Sequence, residues 1–199
     1  MALRHFLWQS DRLHSCPPEI DFSSPGLAVM ELERLLYTGK VIVSHADEVW
    51  PRLYIGDYDS AENRSQLSTH GFTHIVNCAH SSLRGGADFY KGMNITYLGI
   101  AAHDSPTYDM SANFTSAADF IHKALASGGK VLVHCHVGVS RSATVVLAYL
   151  MLKQHMNLVE AITTVKEGRG IIPNRGFLRQ LIDLHVRLHG KHSPGASRP

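Results

Sequence analysis

His134-Cys135-His136-Val137-Gly138-Val139-Ser140-Arg141-Ser142 decides the fold because of what flanks it. Lys130-Val131-Leu132-Val133 before it is short and apolar, the pattern of a buried strand. Ala143 to Leu152 after it is long and apolar enough for a buried helix. The stretch is therefore predicted to be a turn from a strand into a helix. A cysteine there would feel the positive end of the helix dipole and several unpaired backbone N–H groups, and both favour a thiolate. Gly138 lets the loop from His136 to Arg141, with Val137, Val139 and Ser140, curl its N–H groups around a tetrahedral dianion. Arg141 can bind two of the anion's oxygens side by side. Ser142 supplies a hydroxyl that can hydrogen-bond the thiolate and ease its departure from a covalent intermediate. Taken singly, Cys135 is an ordinary small core residue and Arg141 a surface charge. Together and at this spacing they read as a phosphate cradle with a nucleophile at its floor.

Outward from this turn, Leu53 to Ile55, His74 to Cys78 and Ile95 to Leu98 are strand-like, with helical stretches near Ser60 to His70 and Ser111 to Ala126. Three helices are expected after the turn. The first spans Thr144 to Gln154, the second opens with the capping box Asn157-Leu158-Val159-Glu160, and the third is capped by Asn174 and runs to His189. Strands alternating with helices, then helices alone, predict an α/β fold with a central mixed, largely parallel sheet covered by helices on both faces. Ser24-Pro25 reads as an N-cap and first-turn pair opening a helix that packs through Leu27, Met30, Leu32, Leu35 and Leu36 and ends near Gly39. Residues 1–23 read as a flexible arm, in which Phe6, Leu7 and Trp8 could dock on a partner, and residues 191–199 as a flexible tail. Residues 24–190 read as one domain with an N-terminal accessory helix.

A length of 199 residues with 44% hydrophobic content fits one domain with a real core. A net charge of +2 with scattered Lys and Arg argues against nucleic acid or a strongly anionic membrane surface. Cys16, Cys78 and Cys135 form no CxxC pair and no disulfide framework, which favours a reducing compartment. The apolar run in Met1 to Trp8 is too short and too charged for a secretory signal, and no stretch is long and apolar enough to span a membrane. The expectation is a cytoplasmic or nuclear protein.

With the loop, the segments Glu48 to Gly56, Thr73 to Asn77 and Ile172 to Leu181 resemble the cysteine-dependent protein tyrosine phosphatase superfamily. Within it the chain is similar, from about Asp47 to Leu188, to the small atypical dual-specificity phosphatases. The resemblance implies hydrolysis of phosphotyrosine and of phosphoserine or phosphothreonine through a phosphocysteine, with phosphoproteins as partners and mitogen-activated protein kinases as compatible substrates. It implies no metal and no cofactor, and His134 and His136 lack metal-ligand partners at the usual spacing. The leaving oxygen needs a proton. The resemblance assigns that task to Asp104, which lies 31 positions before Cys135 (135 − 104), and leaves Asp109 as second candidate.

The resemblance also aligns Arg169 with a position where some relatives hold a basic residue for a second phosphate; a solvated surface charge is the alternative. Larger tyrosine-specific relatives carry an added loop that deepens the pocket, and its absence here implies a shallow site. The apolar Val137 and Val139 argue against phosphoinositides, for which relatives place lysines in the loop. Some relatives bridge an oxidised nucleophile to a strand cysteine, and Cys78 is the candidate here; an inert core cysteine is the alternative. Two other functional classes remain. One is a non-catalytic phosphoprotein-binding scaffold of the same fold, disfavoured by the presence of Cys135, Arg141 and Asp104. The other is a rhodanese-like protein, disfavoured by the Asp104 loop and the Pro173 to Leu181 segment. The oligomeric state is not legible.

Overall fold

The computed structural model describes residues 19–38, 44–81 and 86–190. Strands β1 (Ala46–Trp50), β2 (Leu53–Gly56), β3 (His74–Asn77), β4 (Thr96–Gly99) and β5 (Val131–His134) form one sheet in the order β1-β2-β5-β3-β4. β2, β5, β3 and β4 pair in parallel, and β1 runs antiparallel at the edge beside β2. The sheet is therefore mixed and largely parallel, as the alternation of elements predicts.

Side-chain alternation along the strands divides the core between the two faces. Tyr54, Leu132 and Ile75 stand in register across β2, β5 and β3. They pack with Ala61 and Leu67 from helices α2 (Tyr58–Glu62) and α3 (Arg64–His70). Their neighbours Leu53, Ile55, Val131, Val133 and Val76 point the other way into the larger cluster. That cluster is built by α1 (Pro25–Tyr37), α4 (Phe114–Ala126), α5 (Arg141–Lys153), α6 (Leu158–Gly168) and α7 (Arg175–His189). α5 is buried from Arg141 through Met151, which explains its apolar character all round. Each fully buried Val or Leu in it contributes about 1.5–3 kcal/mol relative to exposure.

Three elements differ from their sequence reading. β1 carries Asp47 and Glu48 and a register irregularity between Glu48 and Trp50, so it lacks the alternation that marks a strand in sequence. Such charges suit an edge. The helical stretch from Ser60 to His70 is two helices: Asp57 caps α2 by accepting from Ser60 N–H, and Asn63 interrupts it to cap α3 by accepting from Gln66 N–H. α5 begins at Arg141, three residues before Thr144 (144 − 141), because the end of the loop is also its first turn. The capping box of α6 and the Asn174 cap of α7 form as expected.

α1 starts at Ser24-Pro25 as expected, although the Ser24 side chain makes no cap bond. It packs through Ala28, Val29, Leu32 and Leu36, while Leu27 and Met30 are exposed. Its carboxyl end is held by Lys166 of α6, whose Nζ donates to Leu35 O (2.5 Å), Leu36 O (2.8 Å) and Thr38 O. Gly39, the aromatic residues Phe6 and Trp8, Cys16 and the carboxyl tail lie outside the described residues.

Candidate active site

The carboxyl ends of β2, β3, β4 and β5 lie along one edge of the sheet, where open α/β sheets place their ligands. Cys135 follows β5 there and is 2% exposed. Gly138 N–H donates to Cys135 Sγ at 3.2 Å, and Ser142 Oγ lies 3.4 Å from the same sulfur. Burial alone would raise the thiol. The Ser142 hydroxyl, the N–H groups of Ser142 and Gly138 and the Arg141 guanidinium outweigh it and hold Cys135 below the ordinary thiol value.

The loop's shape follows from where its carbonyls go. Five successive carbonyls are taken by groups outside the loop: His136 O by Tyr58 N–H, Val137 O and Gly138 O by Arg169, Val139 O by Ile172 N–H, and Ser140 O by the N–H and Oγ1 of Thr144. The carbonyls are turned outward, and in the peptide between Val137 and Gly138 the N–H points the other way, at Cys135 Sγ. Gly138 has φ +79°, the left-handed region where a side chain is strained, and a Cβ there would lie 2.5 Å from Gly56 O. His136 and Val137 are exposed at the rim, whereas Gly138, Ser140 and Arg141 are buried.

Arg141 Nη1 donates to Ala102 O at 3.0 Å, its Nε lies 3.8 Å from Asp104 Oδ2, and Nε is buried without a hydrogen-bond partner among the described residues. Asp104 Oδ1 accepts from Ser140 Oγ (2.7 Å) and Asn174 Nδ2 (2.9 Å). The loop thus brings Cys135, Arg141, Ser142 and Asp104 together. Asp109 instead accepts from Ser111 Oγ at 2.6 Å, and that bond keeps its carboxyl below the usual range, the opposite of what a proton donor needs.

Arg169 is not placed at the rim. It is 0% exposed, and all three guanidinium nitrogens are engaged beneath the loop. A solvated charge and a direct contact with a second phosphate are both at odds with this placement. Two residues of the site carried no signal of their role in sequence: Asn174, read only as a helix cap, and Asp47, read only as the edge of the family match. Cys78 N–H donates to His134 O at 2.8 Å, so Cys78 and Cys135 leave neighbouring strands side by side; both are free and buried.

Among the described residues, His45, Asp57 and Asp59 bring three ligand-type atoms within 4.8 Å of one another. His45 Nδ1 is already bonded to Asp57 Oδ2 at 2.7 Å, and Asp57 is committed to capping α2. No described helix is long and apolar enough to cross a membrane.

Residues 53–187 match a family model described as dual specificity phosphatase, catalytic domain. Dual specificity protein phosphatase 26 of Homo sapiens is 64% identical over 165 residues, covering 82% of this chain and 78% of that protein. The crystal structure of a mouse putative dual specificity phosphatase complexed with zinc tungstate is 29% identical with TM-score 0.67, covering 77% of this chain and 94% of that one. That of the human tyrosine phosphatase-like serine/threonine/tyrosine-interacting protein is 34% identical with TM-score 0.62, covering 71% and 96% respectively. The chain belongs to the dual-specificity phosphatase family. Its class of activity is that of a protein phosphatase.

Proposed function

We propose that this phosphatase hydrolyses phosphotyrosine and phosphoserine or phosphothreonine in proteins through a phosphocysteine at Cys135. The observation that carries the reading is the pair of donors on Cys135 Sγ, Gly138 N–H and Ser142 Oγ, inside a loop whose carbonyls all face away. The Cys135 thiolate attacks phosphorus in line, forming S–P as P–O breaks, while Asp104 protonates the leaving oxygen. Arg141 and the loop N–H groups from His136 to Ser140 bind the equatorial oxygens, and the buried Arg141 Nε is a donor placed for one of them. Water then attacks the phosphocysteine with Asp104 as base, and the Ser142 hydroxyl stabilises the departing thiolate. No step needs a metal or a cofactor.

The mouse relative is complexed with zinc tungstate, and tungstate is a tetrahedral oxyanion with the shape of phosphate, which supports an oxyanion-binding role for this chain. Mitogen-activated protein kinases, a reducing cytoplasmic or nuclear setting and the use of Asp104 as the acid enter the proposal on family resemblance. A scaffold that binds phosphoproteins without turnover is the second reading, favoured by the interacting-protein name of one 34% identical relative. The lowered Cys135 thiol favours turnover.

Hydrolysis of para-nitrophenyl phosphate in the presence of a chelator, with rapid acid quench and peptide mass mapping, tests this. Turnover with phosphate on Cys135, abolished by Cys135→Ser, is expected. Activity that survives Cys135→Ser, or that the chelator removes, overturns the reading.

A further inference from the structure

We propose that Arg169 is a positioning residue that sets the phosphate loop, acting from behind it and not on substrate. The inference rests on reading that loop as the phosphate site. Arg169 is the first residue beyond α6, and its fork reaches two successive loop carbonyls: Nε donates to Gly138 O at 2.8 Å and Nη2 to Val137 O at 3.1 Å. Its third nitrogen, Nη1, donates to Ser44 O at 2.7 Å and to Asp47 Oδ2 at 2.6 Å.

A loop that binds a dianion through N–H groups must turn its carbonyls away, and each buried carbonyl then needs a donor. Three of the five donor sets are supplied by the backbone or side chain of Tyr58, Ile172 and Thr144. The remaining two carbonyls lie on either side of Gly138, whose N–H points at Cys135 Sγ, and one rigid guanidinium holds both. Gly138 is what lets it approach, since a Cβ there would lie 2.6 Å from Arg169 Nη2.

Asp47 gives the arrangement its direction. It neutralises the guanidinium and is itself fixed by the N–H and Oγ of Ser44. The ion pair is buried, with side-chain exposures of 0% and 13%, so Arg169 acts through geometry more than through charge. A lysine keeps the charge but has no planar fork and cannot hold two carbonyls in one plane.

The test uses the full chain with Arg169→Lys and Asp47→Asn. The substrates are para-nitrophenyl phosphate, a singly phosphorylated tyrosine peptide, and a peptide carrying phosphothreonine and phosphotyrosine. Tungstate affinity by calorimetry supplies a readout independent of turnover. Arg169→Lys is expected to lower kcat/KM by about 10²-fold on all three substrates alike, the cost of a misplaced site. Tungstate binding weakens in parallel, and the acid limb of kcat/KM moves to higher pH because the Gly138 N–H is no longer held on the thiolate. Asp47→Asn shifts all of these in the same direction by a smaller factor.

Loss confined to the doubly phosphorylated peptide, or a gain on it in Asp47→Asn, overturns the proposal in favour of a substrate contact. A lower kcat with unchanged tungstate affinity and pH profile overturns it in favour of a purely structural role. If Arg169→Lys fails to fold, Asp47→Asn decides between these outcomes alone. Failure of the phosphatase reading is separate, since it shows in the unmodified chain and in Cys135→Ser.

Discussion

Ser140 Oγ donates to Asp104 Oδ1 at 2.7 Å, so a hydroxyl of the phosphate loop holds the carboxylate proposed as its proton donor. Asn174 Nδ2 shares the same oxygen, and Asn174 N–H in turn donates to Ser140 Oγ. One small network therefore fixes where the acid sits relative to the anion site.

Asp104→Asn is expected to cost about 10²-fold or more on phosphopeptides and less on substrates with good leaving groups. One limb of the pH–rate profile is expected to flatten in the variant, because the group that delivers the proton to the leaving oxygen is gone. A leaving-group series across pH checks it. The same behaviour in Asp109→Asn, with Asp104→Asn intact, would reverse the assignment.

Gly176, in the first turn of α7, lies under the Asp104 loop: a Cβ there would meet Pro106 O at 1.9 Å. Gly176→Ala must push that segment outward. The expected result is a loss of about 10-fold on phosphopeptides, with para-nitrophenyl phosphate little affected, since only the acid is displaced. Steady-state kinetics on both substrates check it, and equal loss on both would point to a wider disturbance.

Ser142→Ala removes the first of the groups that outweigh burial at Cys135. The thiol then rises, so the fraction of thiolate at a given acidic pH falls and the acid limb of kcat/KM moves upward. Loss of a hydrogen bond to a charged group gives about 10-fold or more lower activity at the acid end. Phosphocysteine should also accumulate, visible as a burst.

His134 supplies a pH-dependent stability. It is 2% exposed, its Nε2 has no hydrogen-bond partner among the described residues, and burial pushes its imidazole down from 6.5 to about 4. Above about 6.5 the ring is neutral in both folded and unfolded chains and imposes no penalty. Between 6.5 and 4 only the unfolded chain takes up the proton, so stability falls with pH until the folded ring also titrates. From pH 7.5 to pH 5 this amounts to about 2 kcal/mol. Urea midpoints at both pH values should show it in the natural sequence and not in His134→Gln.

Cys78 follows β3 beside Cys135 and is desolvated, which pushes its thiol well up. Peroxide oxidises the Cys135 thiolate to a sulfenic acid as its O–O bond breaks, releasing hydroxide. Attack by the Cys78 thiolate then forms S–S as the S–O bond breaks and a second hydroxide leaves. The bridge is expected to form faster as pH rises, because Cys78 must first lose its proton. Non-reducing peptide maps after brief peroxide treatment check this; a Cys135 sulfinate with Cys78 reduced would rule it out.

Most of the sheet was legible because β2, β3, β4 and β5 are short apolar runs with turn residues at their ends, and α4 to α7 show helical periodicity or caps. β1 was not, since an edge strand paired on one side needs no alternation, and its charges serve other elements. The loop at Cys135 was legible because its chemistry is compressed into consecutive residues. Asp104 emerged only by family alignment: a polar loop with two aspartates carries no local sign of which one faces the cradle. Arg169 was misplaced for a related reason. An arginine between two glycines reads as solvated, and its burial depends on Asp47 and Ser44, more than 120 positions earlier.

Lys166 and Arg169 occupy one turn at the end of α6, the first gripping the carboxyl end of α1 and the second the loop around Cys135. The boundary that would be chosen for a minimal catalytic fragment, between α1 and β1, therefore cuts through a shared foundation. Such a fragment would retain every residue that meets phosphate. It would also strip Lys166 Nζ of its three carbonyl acceptors, beside the guanidinium that shapes the site. Trimming the amino-terminal helix should thus be read as an active-site perturbation in any comparison of long and short forms.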